Sequence, residues 1–291
     1  MEHTPVLLRE TLEWLAVRPD GVYVDCTCGL GGHTAAIAER LERGRVIALD
    51  RDGESLEEAR RRCAAHGGKI IFAQSSFAEL SSTLDSLLLA HVDGILADLG
   101  VSRYQLTSPE RGFTLQAAGP LDMRMDRRQS LTAAAIVNHY PERELARLFE
   151  ELGEERRRLA EKIARAVVRA RPIADTAHLA RVVASVAPRA GKIHPATRVF
   201  QALRMAVNDE PGQLDALLEQ APVRLKPGGR MVVIAFQSLD DRKVKQRFRE
   251  LARQGGFRVL TKHVVRPGEA ERRANPASRS AVLRALERTE G

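Results

Sequence analysis

Apolar and polar positions along this chain separate two strand-bearing regions from a helical middle. Across residues 22–50 an apolar run gives way to a glycine-rich turn, a helix-spaced stretch and a second apolar run ending on an acid, which predicts a strand–helix–strand unit. The charged run that follows, to Arg62, reads as a surface helix, residues 69–73 as a third strand, and residues 92–99 as a fourth that carries Asp98 near its end. Far downstream the turn Leu225-Lys226-Pro227-Gly228-Gly229-Arg230 leads into MVVIAF, whose unbroken apolar run predicts a buried parallel strand. Two further β-rich stretches lie near 257–265 and 280–286. At the N-terminus, Thr4 and Pro5 read as an N-cap and first helical position, ahead of Leu8, Leu12 and Leu15 at helical spacing.

Residues 130–208 are helical in pattern almost throughout. Leu145, Leu148, Phe149 and Leu152 mark one apolar face, with Pro141 before it and Gly153 after it. Leu159, Ile163 and Val167 mark a second, stopped by Pro172, and Leu179, Val182, Val183 and Val186 a third, before Pro188. The expected organisation is an α/β domain carrying a helical insert: 1–112, then the insert 113–208, then 209–291.

Glycines let a backbone approach a ligand, and an acid ending the second strand can accept both ribose hydroxyl hydrogens. Residues 22–50 therefore suit an adenosine cofactor. A dinucleotide site would favour G-x-G-x-x-G with a pyrophosphate on the helix N-terminus, whereas Gly29, Gly31 and Gly32 are followed here by His33 and Thr34. Asp25, ending the first strand, would repel a pyrophosphate and suits the cationic amino-acid end of S-adenosylmethionine. The balance favours a methyl donor; an ordinary strand-to-helix turn is the bland alternative. Open parallel sheets bind ligands at the carboxyl ends of their strands, so Asp25, Asp50 and Asp98 are expected along one crevice. Phe77 reads either as a stacking partner for adenine or as a core aromatic at a loop edge. His33 reads as a capping or packing histidine. The long polar segment after Asp98 has the character of a functional loop, in which Gln105 could bond the donor and Arg111, Arg124 and Arg127 could meet phosphates.

The formal charge of +8, carried by 39 arginines and seven lysines, favours a polyanionic partner such as RNA or DNA. Cys26, Cys28 and Cys63 are too few and too oddly spaced for a disulfide framework, so a reducing cytoplasm is expected. Neither a signal peptide nor a membrane span is expected, and none of the eight histidines stands in a metal-ligand pattern.

Beyond these features, the stretches HTPVLLRE, DCTCGLGGHT, ALDRD, DLGVSRYQL, PERGF, GPLDMRMD, TRVFQALRMAVN, LKPGGR and NPASRSAVLR run the length of the chain. In them the chain resembles the bacterial 16S ribosomal RNA cytosine-N4 methyltransferases. The resemblance implies a Rossmann-like, seven-stranded S-adenosylmethionine-dependent methyltransferase sheet with an all-helical insert domain. It implies donor contacts from Gly31, Gly32, His33, Asp50, Phe77, Asp98 and Gln105, and 16S ribosomal RNA or the small ribosomal subunit as partner, with a homodimer compatible. Asp98 or the Leu99 carbonyl is the expected acceptor for the reacting amine, or else Asp98 only binds the donor. The chain departs from the family pattern at Gln237, in place of a frequent histidine, at Arg103, in place of a serine, and at Ala277, in place of an arginine. The alternative from another class is a nicotinamide-dependent oxidoreductase on a similar sheet. A non-catalytic RNA-binding protein fits less well, because the acid and glycine set is intact.

Overall fold

The computed structural model describes residues 5–187 and 194–290, so that Thr4 and Pro188 lie outside the described residues. Contacts divide the chain into two units, residues 1–100 with 211–291 and residues 101–210. The first unit opens with α1 (Leu8–Leu15), β1 (Val22–Asp25), α2 (Gly32–Glu39), β2 (Arg45–Asp50), α3 (Gly53–Arg62), β3 (Ile70–Gln74), α4 (Leu80–Ser86) and β4 (Val92–Asp98). The second holds α5 (Arg103–Thr107), α6 (Ala133–His139), α7 (Glu142–Glu151), α8 (Arg157–Arg169), α9 (Thr176–Val186) and α10 (Thr197–Val207). The chain then returns to the first unit through α11 (Glu210–Val223), β5 (Leu225–Ala235), α12 (Ser238–Gln254), β6 (Phe257–Val259), α13 (Glu269–Ala274) and β7 (Val282–Arg288).

The strands form one seven-stranded sheet in the order β3-β2-β1-β4-β5-β7-β6. The first five are parallel, and β7 runs antiparallel to both β5 and β6. This is the Rossmann-like architecture expected from the motifs. Period-2 alternation assigns each central strand to two cores. Val24, Ile47, Leu49, Ile95, Ala97, Met231 and Val233 face Leu80 and Leu84 of α4, Leu214 and Leu217 of α11, and Phe248 of α12. Tyr23, Val46, Ala48, Leu96, Val232 and Ile234 face Leu12 and Leu15 of α1, Ile37 of α2 and Leu56 of α3. Burial on both faces is why these strands read as continuous apolar runs.

Two local expectations change. Pro5 does not begin the first helix, which starts at Leu8, because Leu7 adopts a left-handed conformation (φ +52°), is fully buried and donates its N–H to Glu271 Oε1 at 2.8 Å. The Leu225–Arg230 turn is a bulge inside β5: Leu225 pairs with Val92 and Arg230 with Gly94, so the residues between them loop out of the ladder.

In the second unit the three expected faces converge on one core, with Leu145 and Phe149 of α7, Ile163 and Val167 of α8, and Leu179 and Val183 of α9 fully buried. Among the described residues no helix is long and apolar enough to cross a membrane.

Candidate active site

In the first unit the sheet order reverses around β1, which lies between β2 and β4, and at such a switch point the strand ends open a crevice. Asp25, Asp50 and Asp98 stand there, but not in one row. Asp25 is paired with Ala48 of β2 and Leu96 of β4, so Asp50 and Asp98 each reach two residues, about 6.6 Å, further along the strand direction. Asp25 is therefore recessed beneath the other two and fully buried. It accepts the Thr34 hydroxyl at 2.6 Å and the Thr27 N–H at 3.1 Å, and the Thr34 amide bonds it as well. Asp25 thus holds the first turn of α2 through bonds within its own chain. Burial raises its pKa despite those bonds.

Asp50 sits at the mouth. Its Oδ2 accepts the Gly29 N–H at 2.7 Å and its Oδ1 the Asp52 N–H at 2.9 Å, which draws the glycine turn over the end of β2. Burial, aided by the charges of Asp52 and Asp25 and opposed by those two bonds, pushes Asp50 up to about 7. Asp98 is more extreme: burial, with the Asp25 charge behind it, pushes it up to about 8. Its Oδ1 is buried without a hydrogen-bond partner, while Oδ2 lies 3.6 Å from His33 Nδ1. The other ring nitrogen, Nε2, lies 3.1 Å from the Val6 carbonyl, which can only accept, so Nε2 carries a hydrogen. His33 is accordingly a packing residue that also borders Asp98.

Thr27, which sequence reasoning passed over, ties this site together. Its Oγ1 accepts the Asp98 N–H at 2.6 Å and its N–H bonds Asp25, so it joins the end of β4 to the glycine loop. The signal was present in Asp25-x-Thr27, the spacing of a side-chain-closed turn.

Gly31 is left-handed (φ +84°), donates its N–H to the Cys28 carbonyl, and would place a Cβ 2.6 Å from Cys63 Sγ. A Cβ on Gly32 would lie 2.4 Å from Pro5 Cγ. Both glycines are thus demanded by the packing of the loop against its own chain. Phe77 opens a short 3₁₀ turn three residues after Gln74, the β3 partner of Asp50, and is half-buried against the α4 and α11 side of the sheet. All three cysteines are free and buried. Among the described residues no group of three or more His, Cys, Asp or Glu is arranged to hold a metal ion.

In the second unit, Gln105 forms a capping box with Ser102: its Oε1 accepts the Ser102 N–H at 2.9 Å and its own N–H reaches Ser102 Oγ at 3.2 Å. Two arginines of this segment hold its loop together. Arg111 is fully buried and donates to the carbonyls of Arg124 and Met125. Arg124 forks onto Asp122 at 2.7 and 3.0 Å and donates to the carbonyls of Arg127 and Gln129. Irregular backbone leaves carbonyls without ladder partners, and a guanidinium with five N–H groups can satisfy several at once.

The geometry fits S-adenosylmethionine, the donor implied by the motifs. An acid at the end of β2 suits a ribose diol, and an unpartnered carboxylate oxygen at the end of β4 suits a cationic or N–H-bearing group. The sequence pattern of the MraW methylase family matches residues 1–289. The chain belongs to that family. It is 56% identical over 285 residues, covering 98% of this chain and 99% of the relative, to the ribosomal RNA small subunit methyltransferase H of Solibacter usitatus. It is 49% identical over 296 residues, covering 98% of each, to the protein of the same name from Acidobacterium capsulatum. Among solved structures, an rRNA methylase from Streptococcus thermophilus aligns over 99% of this chain and 100% of its own, with a TM-score of 0.48 and 12% identity. Membership of the MraW methylase family leaves the nicotinamide oxidoreductase alternative without support. The first turn of α2, where a pyrophosphate would sit, is already taken by the Asp25 carboxylate.

Proposed function

We propose that this chain is a cytoplasmic S-adenosylmethionine-dependent methyltransferase acting on the N4 amine of a cytidine in 16S ribosomal RNA. The observation that carries the reading is Asp98: a carboxylate at the end of β4 with one oxygen buried and unpartnered, two strands from Asp50. When bound, the donor supplies an electrophilic methyl group on a sulfonium. Asp50 accepts the ribose hydroxyls, Phe77 stacks on the adenine, and Gly31, Gly32 and His33 complete the donor contacts within the first unit.

The N4 lone pair of cytosine is delocalised into the ring, so the amine is a poor nucleophile. A carboxylate that accepts one of its N–H groups lets the nitrogen pyramidalise and takes the proton that must leave. Asp98 fills that role, with the Leu99 carbonyl as a second acceptor. The cytidine must be unstacked to reach it, at a cost of a few kcal/mol. Segments 1–112 and 209–291 carry the donor site, and the insert 113–208 adds contacts to the RNA. A mass-spectrometric map of 16S ribosomal RNA from cells with and without this protein is expected to differ at one N4-methylated cytidine. Identical maps would overturn the reading. Sedimentation of the purified chain separates a homodimer from a monomer.

A further inference from the structure

On the first unit, away from the carboxylate site, α12 carries its cations in two different states. Along one side they are matched: Lys243 pairs with Asp215 at 2.6 Å and Arg247 with Glu250 at 3.0 Å. Along the other, Arg242, Lys245, Arg249 and Arg253 follow at helical spacing and have no acidic partner among the described residues. Lys245 and Arg249 border a cavity of about 280 Å³ between α12 and the β6–β7 edge of the sheet. Lys262 and Arg284 join them at its rim, over an apolar floor of Phe248 and Val259. Of these four, Arg284 is held bidentately by Asp241 at 2.6 and 3.0 Å, and the other three have no acidic partner among the described residues.

We propose that this cavity and the unpaired side of α12 form an RNA-backbone site, separate from the donor site, that grips phosphodiesters of the substrate. Like charges this close repel, and a fold that neutralises one side of a helix while leaving the other bare has a use for the bare side. The stripe from Arg242 to Arg253 is about 16 Å long at 1.5 Å per residue, which suits several successive phosphates and not a single ion. The cavity lies at the small end of ligand pockets, about 300 Å³, a size for one nucleotide and not for a second cofactor. It lies two to three strands from Asp98, about 10–14 Å across the sheet, so that it would hold RNA flanking the target without crowding the reacting base.

This proposal rests on RNA being the substrate, and its test separates the two. Wild type, the triple variant Lys245→Ala/Arg249→Ala/Lys262→Ala and the control Lys243→Ala/Arg247→Ala are compared for methylation and binding of small-subunit RNA across a salt series. The triple variant is expected to raise KM for RNA by about tenfold or more and to lower the salt slope by about 2, with donor affinity and kcat at saturating RNA unchanged. The control is expected to match wild type. Unchanged KM and slope in the triple variant, with wild type active, would overturn the RNA site alone; an inactive wild type would instead overturn the proposed function. Wild-type binding to phosphatidylglycerol vesicles that the triple variant loses, with RNA binding intact, would assign the patch to anionic lipid and overturn the proposal.

Discussion

Asp50 Oδ2 accepts the backbone N–H of Gly29 at 2.7 Å, so the acid that ends β2 also fixes the glycine turn that follows β1. The carboxylate retains lone pairs for two ribose hydroxyls, each such charge-assisted bond being worth about 1.5–3 kcal/mol net. Asp50→Ala is expected to weaken S-adenosylmethionine binding by about tenfold or more in titration calorimetry, with the far-ultraviolet dichroism of the fold retained. Wild-type affinity in the variant would remove Asp50 from the donor site.

A second expectation concerns pH. Asp50 titrates at about 7 and Asp98 at about 8, both well above the ordinary 3.8 of an aspartate, so the folded protein binds protons that the unfolded chain releases. Their contribution to stability is complete below about pH 4 and is lost as pH rises through about 7 to 8. The apo thermal midpoint is expected to fall over that rise, and less steeply in Asp50→Asn/Asp98→Asn. Donor binding draws on ionised Asp50, so affinity is expected to rise between about pH 6 and 8 with release of a proton. Calorimetry in two buffers of different ionisation enthalpy reads this directly.

Asp98 is held at a cost, since a buried acceptor without a partner loses about 1–3 kcal/mol of solvation. Asp98→Asn is expected to melt no lower than wild type near pH 8, yet to lose about a hundredfold in turnover at saturating donor. Wild-type kcat is expected to climb as pH rises through about 8, where the carboxylate becomes charged. Near-normal turnover in the variant would leave Asp98 as a donor contact only.

Gly31 and Cys63 are coupled through one contact. In Gly31→Ala the new Cβ meets Cys63 Sγ at 2.6 Å at a backbone φ of +84°, so a loss of about 1–3 kcal/mol is expected in urea denaturation. Adding Cys63→Ala is expected to restore part of it, because the clash is removed while the backbone strain stays. Simple additivity in this double-mutant cycle would show that the two residues do not press on one another.

The order of the strands, the acids at the ends of β1, β2 and β4, and the three apolar faces of the second unit were legible in the chain, because each is written in local periodicity and turn chemistry. Phe77 stayed ambiguous between ligand and core, since both uses place an aromatic at a strand end. What local pattern could not tell was how each of three similar aspartates is partnered. That depended on register: pairing with Ala48 and Leu96 sets Asp25 two residues back, where Thr34 and Thr27 claim it, while Asp98 extends past the end of β1 and keeps an oxygen unsatisfied. The partners of Arg111 and Arg124 stayed hidden for the same reason. An arginine in a polar loop has one appearance in sequence, and only the positions of the Met125, Arg127 and Gln129 carbonyls decide whether its donors turn inward or toward a partner. Hydrogen-bond demand from distant backbone is a property of the tertiary structure, and it sets where each of these charged groups finds its partners.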